Sequence, residues 1–237
     1  MNVTYFDFNA LTKINATPEY YERLRWSLKI KKIVGKNFVR LGKENDGGYI
    51  MVDNFQSNGG IAYSFGLNYD VSWDSDMAAR GYEIFMYDPT IDGLPQENER
   101  FHFFKADVDG AEWNFLKSVS SETLNKFDQI VFEFHSVIRP KTQDQTNAVV
   151  AGVEKINRTH SLVHLHPNNY DAFLILDDKI LFPSTFELTY VKTSNYELVD
   201  DENIFLPIPL DQPNAKGRPE IPLGFWNRRY NNVVTFK

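Results

Sequence analysis

Apolar and polar positions along this chain switch between a helical and a two-residue period, and the switches predict its elements. From Pro18 to Lys32 the residues Tyr21, Leu24, Leu28 and Ile30 form an apolar stripe, with Thr17 as N-cap and proline at the first helical position. NFVRLGKENDGGYIMVDNF then reads as two short strands joined at Asn45-Asp46-Gly47-Gly48, a strong hairpin signal. IAYSF and YEIFMYD are short apolar runs of the buried-strand type, separated by a helical stretch from Ser72 that ends at Gly81. The pattern repeats through FHFF, ADVDG, a helix from about Glu112 to Leu124, the strand DQIVFEFH, a helix from about Asn147 to Thr159, and the strand SLVHLH.

Strands alternating with helices predict an α/β fold with a Rossmann-like, doubly wound and mostly parallel sheet. DAFLILDDKIL and TFELTYVKT lie close together and are expected to form an antiparallel C-terminal strand pair that closes it. One domain over residues 1–237 follows. It has an N-terminal helix and hairpin extension to about residue 58, and a proline-rich tail from about Pro207 expected to lie extended over the surface.

Composition narrows the partners. A net charge of −7 argues against nucleic acid, whose phosphates need clustered Lys and Arg. The absence of cysteine excludes disulfides, thiolate zinc sites and cysteine nucleophiles. MNVTYFDFNALTK lacks the basic and apolar segments of a leader, and no run approaches the ~18 apolar residues of a membrane span. A cytoplasmic protein without membrane insertion is expected.

The first strand turns into its helix at Phe65-Gly66-Leu67-Asn68-Tyr69-Asp70, the place where doubly wound folds hold a ligand. One glycine stands there instead of G-x-G-x-x-G, so the pyrophosphate signature is absent. Asp70, Asp74 and Asp76 crowd the helix start, where carboxylates complement the dipole themselves and repel phosphate. A cationic ligand without phosphate suits this turn, and S-adenosylmethionine, with an ammonium and a sulfonium, is one. Asp88 ends the next strand, 22 residues beyond Gly66, placed to accept from ribose hydroxyls. Each of these acids alone reads as a cap or turn residue; their combination favours the ligand.

RLGKENDGGYIM, AYSFGLNYDVSWDSDMAARG, MYDPT, KADVDGAEW and FEFH together resemble the FkbM-type methyltransferases, in a branch of sugar and capsular-polysaccharide methyltransferases. The resemblance covers roughly Phe38 to Asn169, and KADVDGAEW carries it best. It implies a class I methyltransferase-like fold and methyl transfer from S-adenosylmethionine to oxygen. It also implies that Gly66, Asp70 and Asp88 surround the cofactor, with Asp107 and Asp109 at the strand end facing the methyl group. The first loop departs from ordinary methyltransferases in lacking their second and third glycines.

An alcohol does not ionise unaided at neutral pH, so a base or a metal must take part. Asp107, Glu133, His135 and His166 fall at the carboxyl ends of three predicted parallel strands, with His135 and His166 as candidate bases. Asp107, Glu133 and His135 form an oxygen-and-nitrogen set suited to Mg²⁺ or Mn²⁺. Glu133, Asn168, Asn169 and Arg139 offer hydrogen bonds to a sugar, with Tyr170 and Trp226 as aromatic surfaces. The plainer readings are a Glu133–His135 pair at a strand end, His164 as a satisfied interior histidine, His102 and His160 as structural, and Glu112 as a first-turn helix residue. A nucleotide-sugar or NAD-dependent enzyme, and a binding domain without chemistry, are the alternatives. The tail is available to cover the acceptor or to contact another subunit in a homo-oligomer.

FHFF and ADVDG follow one another with no crossover, although parallel neighbours need about a dozen connecting residues. Either the connecting helix and loop have been lost in this protein or, as is expected here, a segment whose start holds the adenine in the resembling family is missing between Lys105 and Ala106.

Overall fold

The computed structural model describes residues 3–6, 16–88, 90–104, 112–138, 140, 142–176 and 180–228. The chain divides into two compact units, one made of Met1–Gly35 with Glu112–Lys237, the other of Lys36–Ala111.

The chain opens with β1 (Val3–Phe6), α1 (Pro18–Ser27) and β2 (Lys31–Ile33), all of the first unit. The expected helix to Lys32 stops at Ser27, because the distant tail takes up the chain that follows. Trp226 donates its indole N–H to Leu28 O, and Asn227 both accepts from Ile30 N–H and donates to Ile30 O. Orphan groups at a helix end are thus met by tertiary partners, and β2 pairs antiparallel with β13 (Leu198–Asp200) instead of extending the helix.

The second unit holds the hairpin β3 (Phe38–Gly42) and β4 (Gly48–Val52), antiparallel as its turn residues dictate. It continues with β5 (Ile61–Phe65), α2 (Ser72–Ala79), β6 (Glu83–Tyr87) and β7 (Phe101–Phe104). β5, β6 and β7 form a parallel three-stranded sheet in that order. β5 is not buried on both faces, as its apolar run predicts. Ala62 is buried, whereas Ile61, Tyr63 and Phe65 are 61, 43 and 56% exposed. On that outer face Phe65 stacks on Tyr87 and Tyr63 on Phe85.

The first unit resumes with α3 (Glu112–Ser118), α4 (Ser121–Leu124), β8 (Gln129–Phe134), α5 (Gln143–Ile156) and β9 (His160–Pro167). The single helix expected over 112–124 is broken where Ser120 caps α4, its hydroxyl accepting from Thr123 N–H. β10 (Phe173–Leu176), β11 (Ile180–Pro183) and β12 (Phe186–Lys192) follow. β10 and β11 are antiparallel, in one sheet with β1.

β12 does not close an edge. It lies between β8 and β9, antiparallel to both, so these two run in the same direction without pairing with each other. Its residues Phe186–Val191 are all buried, as a central strand covered on both faces requires. The described strands form an α/β arrangement of several small sheets, and the ADVDG strand expected between β7 and α3 lies outside the described residues. The tail is no surface strap either: Ile221, Leu223 and Trp226 join a core with Tyr21, Leu24, Phe182 and Phe186. Among the described residues, no helix is long and apolar enough to cross a membrane.

Candidate functional site

In the second unit the turn after β5 takes the shape of a cradle. Gly66 has φ +75°, a conformation open to glycine but costly for other residues, and a Cβ there would meet nothing within 4 Å. Asn68 and Tyr69 follow with φ of 42° and 62°. Asp88, buried at the end of β6, holds this backbone from one side. Its Oδ2 accepts from Leu67 N–H at 2.5 Å and Asn68 N–H at 3.0 Å, and its Oδ1 accepts from the N–H and hydroxyl of Thr90 at 2.7 and 2.5 Å. Burial alone would raise its pKa, but these four donors draw it below the usual carboxylate range.

The three helix-start acids are largely engaged within the unit. Asp70 Oδ1 accepts from Ser72 N–H at 3.0 Å and Oδ2 meets Lys43 Nζ at 2.7 Å, which outweighs burial and lowers its pKa. Asp76 accepts from Gly42 N–H at 2.8 Å. Asp74 is buried, hydrogen-bonds Ser64 and leaves Oδ1 without a partner; burial pushes its pKa up to about 6.

In the first unit Glu133, Glu187 and His166 stand opposite one another across β8, β12 and β9, one row on one face. The two ends of that row differ. At the β8 end, His135 is 55% exposed and lies between two carboxylates. Glu112 Oε1 accepts from its backbone N–H at 2.9 Å and stands 3.4 Å from Nδ1; Glu133 Oε2 stands 3.6 Å from Nε2. Trp113 donates its indole N–H to His135 O at 3.2 Å. Glu112 chiefly, with Glu133 and Asp171, raises the His135 pKa against the opposing effect of burial. Asn168 donates to Glu133 Oε1 at 2.7 Å, fixing that carboxylate.

At the β9 end the tail closes over the row. His166 is buried, with Nδ1 3.1 Å from Glu187 Oε2 and Nε2 2.7 Å from Glu220 Oε1. Burial would lower its pKa, but the two carboxylates push it up to about 10. An imidazole held this way is an imidazolium at neutral pH, with no lone pair free to take a proton. His164 is likewise buried, 3.0 Å from Asp211. Asn169 is spent on the tail: Oδ1 accepts from Ala215 N–H at 2.7 Å, and Nδ2 donates to Arg218 O and Pro219 O, both at 3.2 Å. Trp226 lies in the core, while Tyr170 remains exposed beneath the Arg218 guanidinium.

Asp107, Asp109, Arg139 and the Lys105–Ala106 junction lie outside the described residues. Among those described, no three His, Asp or Glu side chains group as a metal site requires; Asp107, the third ligand expected with Glu133 and His135, lies outside them. The contact that the motifs passed over is Glu112 on His135. KADVDGAEW contains this glutamate, but nothing local in the sequence ties it to the end of β8.

A parallel strand pair joined through a left-handed glycine turn and a helix, with an acid ending the second strand, marks a protein of the α/β class. The family is narrower than that. The methyltransferase FkbM domain matches residues 9–161, nearly two thirds of the chain, and the chain belongs to that methyltransferase family. No curated protein matches it.

Proposed function

We propose that this protein is an S-adenosylmethionine-dependent O-methyltransferase acting on a sugar hydroxyl, the sugar being nucleotide-activated or a precursor of a surface polysaccharide. The cofactor, when bound, supplies a methyl group on a sulfonium. Support for the cofactor comes from Gly66, whose positive φ and open Cβ direction leave backbone free for a ligand to approach. The neighbouring acids suit a cationic ligand. Asp88 fits with one exchange: a ribose hydroxyl replaces that of Thr90 on Oδ1, leaving the bonds to Leu67 and Asn68 intact.

His135 is the base in this reading. Its ring is half exposed, and the 3.6 Å between Nε2 and Glu133 is too long for a good hydrogen bond. A sugar hydroxyl that donates to Nε2 completes the geometry, with a neighbouring hydroxyl of the sugar donating to Glu133, which Asn168 keeps in place. The flanking carboxylates make this imidazole a stronger base than a free one. His166, already protonated between Glu187 and Glu220, acts as a structural cation.

Thermal melts with S-adenosylhomocysteine test the cofactor, because a ligand of the folded state raises the midpoint. His135→Ala should keep that rise and lose turnover on a panel of nucleotide-activated sugars by about 10²–10⁴-fold. Unchanged turnover in the variant rejects the base. A rise with NAD and none with S-adenosylhomocysteine favours a dehydrogenase-type enzyme instead.

A further inference from the structure

The turn between β3 and β4 reaches the start of α2 within the second unit. Lys43 Nζ meets Asp70 Oδ2 at 2.7 Å, Lys43 N–H donates to Ser72 Oγ at 2.9 Å, and Gly42 N–H donates to Asp76 Oδ2 at 2.8 Å. Gly47 permits this approach: a Cβ there would stand 2.2 Å from Asp70 Oδ2 and 2.8 Å from Lys43 Cε. Asp70 ends the turn in which Asn68 and Tyr69, two consecutive residues with side chains, hold positive φ. Such backbone is unfavourable and persists only where its surroundings hold it. Asp88 anchors the Leu67 and Asn68 N–H groups, and Asp70, tied to Lys43 and Ser72, anchors the far end. Lys43 is half exposed, and an ion pair of that kind adds little to global stability. Its effect therefore falls on the shape of the turn.

We infer that Lys43 is a positioning residue for the cofactor turn: through Asp70 it holds Asn68 and Tyr69 in the left-handed conformation that the ligand meets. The inference rests on reading Phe65–Asp70 as the S-adenosylmethionine turn. A turn held in its binding shape loses less freedom when the ligand arrives, so the hairpin contributes affinity without touching the ligand.

The test is calorimetric titration of the full chain with S-adenosylhomocysteine for wild type, Lys43→Met and Lys43→Arg, with thermal melts and amide exchange alongside. Lys43→Met should raise Kd roughly two- to fivefold and Lys43→Arg restore most of it, since preorganisation and not a ligand contact is lost. The unliganded melting midpoints of both variants should stay close to wild type, and the Leu67 and Asn68 amides should exchange faster only in Lys43→Met. Equal Kd values in wild type and Lys43→Met overturn the inference. If wild type fails to bind S-adenosylhomocysteine, the cofactor reading falls. Exchange then decides for Lys43: faster exchange at Leu67 and Asn68 keeps it as the residue that holds the turn, and unchanged exchange removes it.

Discussion

His166 and His135 occupy equivalent strand ends, yet their surroundings give them opposite chemistry. His166 is closed between Glu187 and Glu220, while His135 keeps half its ring in solvent beside Glu112 and Glu133. The His166 pKa of about 10, against an ordinary 6.5, fixes the sign of a pH effect. Its contribution to stability is complete below the unfolded value and is lost as pH rises through the folded one. Wild-type melting midpoints should therefore fall between about pH 7 and pH 10 more steeply than those of His166→Gln. Parallel slopes would reject the buried imidazolium. At neutral pH the same substitution should cost about 3–5 kcal/mol by urea unfolding, because Glu187 is left buried without its counter-charge. Both histidines were legible as strand-end residues from the two-residue period alone. Their difference was not, because Glu220 lies 54 residues beyond His166 in a segment with no periodic pattern.

At the scale of elements, local signals succeeded where the chain closes on itself over a few residues. The Asn45–Gly48 turn formed its hairpin, and the strand–turn–helix–strand run from Ile61 to Tyr87 formed a parallel pair. They failed where a partner far along the chain decides. The end of α1 and the burial of the tail come from the same contacts, with Trp226 packing on Phe182 and Phe186 at 5.8 and 5.9 Å and bonding Leu28 O. Proline-rich sequence with few periodic positions reads as a surface strap, yet one aromatic anchor buries it. Trp226→Ala should cost about 3–5 kcal/mol, the range for truncating a fully buried large aromatic. A shift in the urea midpoint of less than a quarter of the wild-type value would show that the tail is dispensable.

For the whole molecule, the family assignment and the proposed reaction make different demands. In the proposed reaction His135, flanked by Glu112 and Glu133, takes the hydroxyl proton without a metal. Turnover should therefore survive exhaustive treatment with EDTA. Loss of turnover that Mg²⁺ or Mn²⁺ restores would return Glu133 and His135 to a metal-ligating role with Asp107. The sequence alone determined the α/β class, the family, and the glycine turn with its acids, because each is written in short-range spacing: residue periods, turn chemistry and contiguous motifs. Tertiary structure alone decided which groups remain free to act. It tied Asp70 to Lys43, Asp88 to the turn backbone, Asn169 to the tail and His166 to two glutamates, leaving His135 exposed with Glu112 behind it. A hydrogen bond between distant segments leaves no period in the chain, and such bonds determine whether a polar residue holds the fold or meets a substrate.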